Sequence, residues 1–416
     1  EGLFSGYTSM VTLPNGEGFR AYYRGLPELS PAGVESEVTA YAESVDGIHW
    51  TKPENNIVLR DAAPVTHNFT IYYDQKSGIP VAEKWKGIGG TDSSGLIRYV
   101  SSDGIEWHKF AEGEPMFPAR LGNRYDSQNL VFWSEAEQLY LCYYRSSNRE
   151  LDPVNGVRWI SRATSPDFVE WTDDGPMSFR NADGSEASGE HLYTNQTGAY
   201  LRAPHIYVAI AARFWPGRQV VNEEEAKTIG VDPGFFHDIS DGVLMTSRGG
   251  MVYDRTFLES FVRPGPGLEN WTSRTNYPAM NVIQTGAAEM SFFVQREYGQ
   301  PNHHLTRFSL RLDGFAALHA DYTGGEMVTK PFQFSGEELE INYATSAAGG
   351  IRFELQDETG TAIPGYTLED SREIIGDQIS RIVSWKSGSS VADLAGKTVR
   401  LRMVLKDADL FAIRFR

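Results

Sequence analysis

Three acidic side chains stand where their neighbours could put them to chemical use. They are Asp126 in Tyr125-Asp126-Ser127-Gln128-Asn129, Glu190 in Glu190-His191-Leu192-Tyr193-Thr194-Asn195, and Asp241. A carboxylate beside a Ser-Gln-Asn run is held among hydrogen-bonding groups. Two carboxylates facing each other across a pocket are what cleavage of a glycosidic bond requires, one ionised as nucleophile or base and one protonated to assist the leaving group. The expected roles are nucleophile or base for Asp126, acid for Glu190, and orienter or rival acid for Asp241. Substrate contacts are expected from Arg24, Asn68, Gln128, Arg145, His191, Tyr193, Asn195, Arg213, Arg274, Asn276 and Arg296. The recurring guanidinium forks suit carboxylate, sulfate or phosphate groups. They point to an anionic sugar, with pairing to nearby carboxylates as the competing account.

A repeat supplies the elements that must position these residues. Ser44-Val45-Asp46-Gly47-Ile48-His49-Trp50, Ser102-Asp103-Gly104-Ile105-Glu106-Trp107 and Ser165-Pro166-Asp167-Phe168-Val169-Glu170-Trp171 each set an Asp four residues before a Trp, after a β-rich run. Weaker copies follow at Thr246–Tyr253 and Leu310–Phe315. Spacings of about 60 to 80 residues, each long enough for four short strands, indicate propeller blades. Asp with a turn former suits a tight turn, and the Trp can cover the face between blades. The repeat Asp residues are therefore read as structural. Inner strands are expected to begin near Tyr7, His67, Tyr125, Leu192 and Thr275, and second strands over Phe19–Arg24, Lys84–Gly89, Leu139–Arg145, Ile206–Arg213 and Met290–Glu297. In such a ring the inner-strand starts, second-strand ends and third-strand starts share one rim, which gathers the residues named above.

The fold class is thus all-β, a five-bladed β-propeller over residues 1–320 followed by an antiparallel β-sandwich over 321–416. The sandwich strands are expected at Glu338–Tyr343, Ile351–Gln356, Ile379–Lys386, Val399–Leu405 and Leu410–Arg416. Helical periodicity is confined to Glu223–Lys227. A net charge of −17 argues against nucleic acid and anionic membrane surfaces as partners, and no apolar run could span a membrane. The single Cys142, in the apolar run Leu139–Tyr144, is read as a core residue. No metal-ligand spacing, nucleophile elbow, phosphate loop or dinucleotide fingerprint occurs, so no metal or cofactor is expected. The chain opens at Glu1 rather than Met, which suggests a trimmed N-terminus.

The Ser-x-Asp-Gly-x-x-Trp turn, five blades and trailing sandwich resemble the five-bladed propeller glycosidases of families 32, 43 and 68. Tyr125-Asp126-Ser127-Gln128-Asn129, Glu190–Asn195, Arg202-Ala203-Pro204-His205 and Leu394–Arg402 look like a group of bacterial proteins similar to family 32. The resemblance implies a secreted or periplasmic glycoside hydrolase acting on carbohydrate, exo or on short oligosaccharides. Gly6-Tyr7-Thr8-Ser9 stands where the invertase Trp-x-Asn-Asp-Pro-Asn-Gly box would fall, and the Arg-Asp-Pro and Glu-Cys boxes are absent. Fructan specificity and that family's catalytic residues therefore do not carry over. A glycoside phosphorylase of similar fold and a non-catalytic glycan-binding propeller remain as alternatives.

Overall fold

The computed structural model describes residues 2–26, 36–118 and 124–416. The chain divides into two compact units, Glu1–Thr285 with Ser291–Phe308, and Gly286–Met290 with Ser309–Arg416.

The first unit is a five-bladed β-propeller. Blade 1 is an antiparallel sheet of Gly6–Thr12, Phe19–Gly25, Val38–Ser44 and Ile57–Leu59, in that order from the axis. Blade 2 repeats the pattern with Thr70–Tyr73, Trp85–Gly89, Ile97–Ser101 and His108–Lys109, and blade 3 with Leu130–Ser134, Leu139–Asn148, Val157–Ser165 and Thr172–Pro176. Blade 4 splits its inner strand into Leu192–Thr194 and Thr197–Tyr200, both paired with Ala203–Trp215, and continues through Ile239–Ser247 and Val252–Arg255. Blade 5 contains Tyr277–Pro278, Ile283–Gln284, Glu289–Arg296 and His304–Arg311. The ring closes where Ser9 bridges Met280 and the Met10 amide donates to the Met280 carbonyl at 3.0 Å. The short helix Glu223–Ile229 is opened by an Asn222–Glu225 capping box and closed by Gly230 in the left-handed region.

The repeated turns earn their sequence by hydrogen bonding. In blade 2, Ser101 Oγ accepts from the Gly104 amide at 2.9 Å, while one Asp103 oxygen accepts from the Ile105 and Glu106 amides at 2.8 and 2.9 Å. Blades 1 and 3 repeat this through Ser44 with Asp46 and Ser165 with Asp167. The preceding blade then grips the turn. Arg20 donates to the Asp103 carbonyl, Tyr22 Oη donates to the Gly104 carbonyl at 3.0 Å, and Arg98 donates to the Phe168 carbonyl at 2.8 Å. Gly104 sits at φ 78°, and a Cβ there would fall 2.5 Å from Tyr22 Oη. Phe168 adopts the same left-handed backbone at φ 70°, and its ring is buried against Tyr140 and Trp171. With Asp46, Asp103 and Asp167 each engaged by backbone amides, these carboxylates belong to the frame.

Inner strands of blades 2 and 3 begin later than the sequence suggests, at Thr70 and Leu130. His67 and Asp126 therefore lie in the approach to each strand, where backbone curvature can aim them at the axis.

The second unit is the antiparallel β-sandwich. Two long strands, Leu339–Asp357 and Val399–Phe415, pair along their length; Leu318–Ala320 and Gly325–Val328 join the second, and Asp377–Ile382 joins the first. Each long strand merges two segments that the sequence reads as separate, because the ladder shifts register between Thr345 and Gly350 instead of ending. Leu339, Ile341, Ile351, Phe353, Leu401, Met403 and the fully buried Trp385 fill its core.

Replacing Asp103 with Ala removes an acceptor shared by two backbone amides. We expect a loss of about 1–2 kcal/mol, measurable as a shifted denaturant midpoint with an unchanged slope.

Candidate active site on the propeller axis

Asp126 follows Tyr125, whose buried ring stacks on Phe117 and whose backbone sits at φ 66°. That anchored, left-handed residue turns the next side chain outward, leaving Asp126 47% exposed. Its carboxylate lies 3.1 Å from His67 Nε2 and 3.7 Å from the Arg145 guanidinium. On the far side, His67 Nδ1 meets Glu37 at 2.8 Å, Glu37 meets Arg24 at 3.5 Å, and Arg24 donates to Tyr298 Oη and to the Phe4 carbonyl, each at 2.9 Å. With a carboxylate at each ring nitrogen, the imidazole is held as a double donor. The His67 bond, opposed by burial and helped by the Arg145, His67 and Arg274 charges, holds the Asp126 carboxyl down at about 2. Burial lowers His67, but its bonds to Asp126 and Glu37 prevail and raise it above the ordinary imidazole value.

Beside this chain three guanidiniums converge on one ring. Arg145, Arg158 and Arg274 lie 4.8, 5.1 and 5.8 Å from the centroid of Tyr193. Arg158 also covers Phe214, and Arg274 covers Phe235, each at 4.7 Å. Among the described residues neither Arg158 nor Arg274 has a carboxylate partner, and Asp126 is the acid whose charge reaches Arg274. Burial and the charge of Arg145 push Arg158 down. Burial also lowers Arg274, but the phenols of Tyr193, Tyr298, Tyr277 and Tyr7 lift it overall. The two phenols at the axis diverge. Burial, Tyr193 and Asp126 drive Tyr7 well up, whereas for Tyr193 the upward effect of burial is outweighed by Arg274, Arg145 and Arg158.

Glu190 and Asp241 form a different group, organised by Arg213. One Glu190 oxygen lies 3.0 Å from Arg213 and the other 2.9 Å from Arg255. Arg213 also makes a bidentate contact with Asp241 at 2.8 and 2.6 Å. This group shares no hydrogen bond or ion pair with Asp126 among the described residues.

The side-chain amides that the sequence places on the rim are buried braces between blades. Asn68 donates to the Gly90, Tyr125 and Ser127 carbonyls at 2.7 to 2.8 Å. Gln128 donates to Ser9 Oγ and to the Tyr7 and Thr8 carbonyls, and Gln196 donates to Gln128 and to the Pro278 carbonyl. Asn195 accepts from the Thr197 amide, and Asn276 donates to the Ser240 and Asn270 carbonyls while accepting from Arg296. Arg296 further donates to the Pro264 carbonyl, and His191 accepts from the Arg158 amide at 3.3 Å. The axial cluster of Asp126, Arg145, Tyr193, Arg274 and Arg24 was named by sequence. Tyr7, Glu37 and Arg158 were not.

A cavity of about 360 Å³ opens at the other end of the channel, where Met10, Tyr72, Phe132, Tyr200 and Met280 close the inner strands. Its carboxylate, Glu135, is bonded by Trp133 and Gln138. Asp126 and His67 are not among the residues that line it. Among the described residues no cluster of three His, Cys, Asp or Glu side chains could hold a metal, and no helix is long and apolar enough to cross a membrane.

No family model matches the sequence, and no curated protein matches it. Among solved structures the fold neighbours include glycoside hydrolases of family 32 and family 43 type. A family 32 β-fructofuranosidase from Bombyx mori is 12% identical, with 98% of this chain and 90% of that one covered and a TM-score of 0.45. A family 43 arabinoxylan arabinofuranohydrolase from Bacillus subtilis, in complex with cellotetraose, is 11% identical over 99% and 95%, at 0.44. An N-acetylgalactosamine deacetylase from F. plautii, in complex with blood group B trisaccharide, is 12% identical over 95% and 89%, at 0.45. The chemistry of this chain has to be argued from its own site.

The paired shifts set a pH dependence. The stabilisation from Asp126 is present above the usual carboxylate range and is lost as pH falls through about 2. That from His67 is complete below the unfolded imidazole value of about 6.5 and is lost as pH rises through the higher folded value. His67→Gln should therefore destabilise more at about pH 5.5 than at about pH 9, as read by denaturant melts. In NMR titrations the His67 ring should titrate above the ordinary range and drop in Asp126→Asn.

Proposed function

We propose that the chain is a glycoside hydrolase whose reaction takes place at the Asp126 end of the propeller axis. The observation that carries this reading is the half-exposed Asp126 carboxylate, held ionised by His67 and Arg145 beside Arg158 and Arg274, which lack carboxylate partners among the described residues. An ionised carboxylate on the axis is suited to activate water or to attack an anomeric carbon. Glu190 and Asp241 act instead as the anionic brace of Arg213, because guanidiniums already hold both Glu190 oxygens and both Asp241 oxygens. A carboxyl so engaged is a poor proton donor.

The substrate is an anionic sugar, sulfated or uronic. Three guanidiniums sharing one ring repel one another, and they form a local cationic site in a chain whose net charge is −17. A carboxylate or sulfate on the substrate relieves that repulsion and receives bidentate bonds. Exo action is supported by the channel itself, since Gln128 and Gln196 cross the axis and stop a polymer from threading through.

Asp126→Asn should lower turnover by about 10²–10⁴-fold while oligosaccharide binding survives, with released reducing ends as the readout. Unchanged turnover would remove Asp126 from the chemistry, and binding without turnover in the parent protein would make the chain a glycan-binding module. Arg274→Gln should weaken sulfated or uronic oligosaccharides by about 10–100-fold and neutral ones hardly at all. A preference for neutral substrates in the parent protein sinks the anionic assignment.

A further inference from the structure

Hydrolysis at Asp126 needs a second group to protonate the departing oxygen, and the expected carboxyl, Glu190, is committed to Arg213 and Arg255. Resting on the reading of the site given above, we infer that the Tyr193 hydroxyl is the proton donor to the glycosidic oxygen.

The geometry singles out this phenol among its neighbours. Tyr22, Tyr140, Tyr144 and Tyr207 spend their hydroxyls on carbonyls, carboxylates or Ser134. Tyr298 accepts from Arg24, and the Tyr277 hydroxyl is sealed from solvent. The Tyr193 hydroxyl, like that of Tyr7, makes no hydrogen bond among the described residues, but Arg24 is the one guanidinium recorded over the Tyr7 ring, whereas the Tyr193 ring is packed between Tyr277, Phe214 and three guanidiniums. A cation over an aromatic face is attracted to it, more strongly still when the ring carries a phenolate charge. Tyr193 also interacts electrostatically with Asp126 and Tyr7, which places the three groups in one cluster. Tyr7 and Tyr193 are driven in opposite directions.

The step balances without another reactant besides water. The bond from the anomeric carbon to the glycosidic oxygen breaks, its electron pair stays on that oxygen, and the Tyr193 proton moves there. A water oxygen bonds to the anomeric carbon while its proton passes to Asp126. Tyr193 is left as phenolate against Arg145, Arg158 and Arg274, and Asp126 as the neutral acid; net transfer of one proton from Asp126 to Tyr193 restores both. An anionic substituent lying over Arg158 and Arg274 cancels part of their charge. The phenol therefore keeps its proton while substrate is bound and releases it as the bond breaks.

Ultraviolet difference titration near 295 nm tests the phenol directly. The parent protein should contain one tyrosine that ionises below the ordinary value of about 10. That component should disappear in Tyr193→Phe and move upward in Arg274→Gln. A Tyr193→Phe curve that matches the parent overturns the inference. Phe keeps the ring and its cation contacts, so the variant should melt near the parent temperature. Kinetics give the second arm, with methyl and 2,4-dinitrophenyl glycosides of the sugar that the parent protein releases from sulfated or uronic oligosaccharides. Tyr193→Phe should cost about 10²-fold or more in kcat on the methyl glycoside and less than about tenfold on the dinitrophenyl one, which leaves without acid help. Equal losses on both also overturn it. Asp126→Asn should slow both substrates alike; if it slows neither, the failure lies with the site and not with the donor.

Discussion

Five strands meet at the axis of this propeller without pairing into one sheet, and that geometry imposes a debt on every inner strand. Each turns backbone carbonyls toward a neighbour that offers no regular ladder in return. A buried carbonyl left without a donor is costly. The chain meets the demand with side-chain amides and hydroxyls: Asn68 across to blade 3, Ser127 Oγ to the Tyr193 carbonyl, Ser240 Oγ to the Thr275 carbonyl, and Gln128 and Gln196 over the centre. Blade order, rim height and the aim of Asp126 all follow from this stitching. The aromatic layers between blades add burial, but they are non-directional and would tolerate sliding that the amides do not.

The same stitching explains where sequence reading succeeded and where it failed. Blade number and register were legible because the Ser-x-Asp turn is a local device, complete within a few residues and repeated with its spacing. Asp126, Arg145, Tyr193 and Arg274 could be found because they flank inner or second strands whose places follow from that register. Asn68, Gln128, Asn195 and Asn276 looked like binding residues, since nothing in composition separates an amide facing a ligand from one facing a neighbouring blade. Glu37 and Arg158 were missed although a signal existed. Both open third strands, the position that Asp241 holds in blade 4, and only blade 4 was read that way. Glu190 was placed on the right blade, but its two arginine partners come from sites 23 and 65 residues further along. In the second unit, strand breaks were inferred where the chain instead bends through a register shift.

Electrostatics at the rim depends on a second economy. Guanidiniums at close quarters repel one another, and the chain separates their interaction by inserting rings. Tyr193, Phe214, Phe235 and Tyr7 each present a π face to an arginine, offering partial negative potential without a carboxylate that would neutralise the site. Apart from those of Asp126 with His67 and Arg145, the ion pairs lie to the flanks, at Glu37 with Arg24 and at Glu190 with Arg213. A well of positive charge is thereby held open inside an acidic molecule.

The amide ring separates assembly from reactivity. Its amides engage the backbone carbonyls of Tyr7 and Tyr125, and the Ser127 hydroxyl that of Tyr193, while the side chains of Asp126, Tyr193 and Arg274 take no part in it. A substitution at those three positions alters what the mouth of the ring can do while leaving the amide bonds between blades in place. A substitution at Asn68 or Gln128 does the reverse, and in a mutational survey it would mimic a lost active site by loosening the frame beneath it. The ring acts as a chassis whose fittings can be exchanged one at a time.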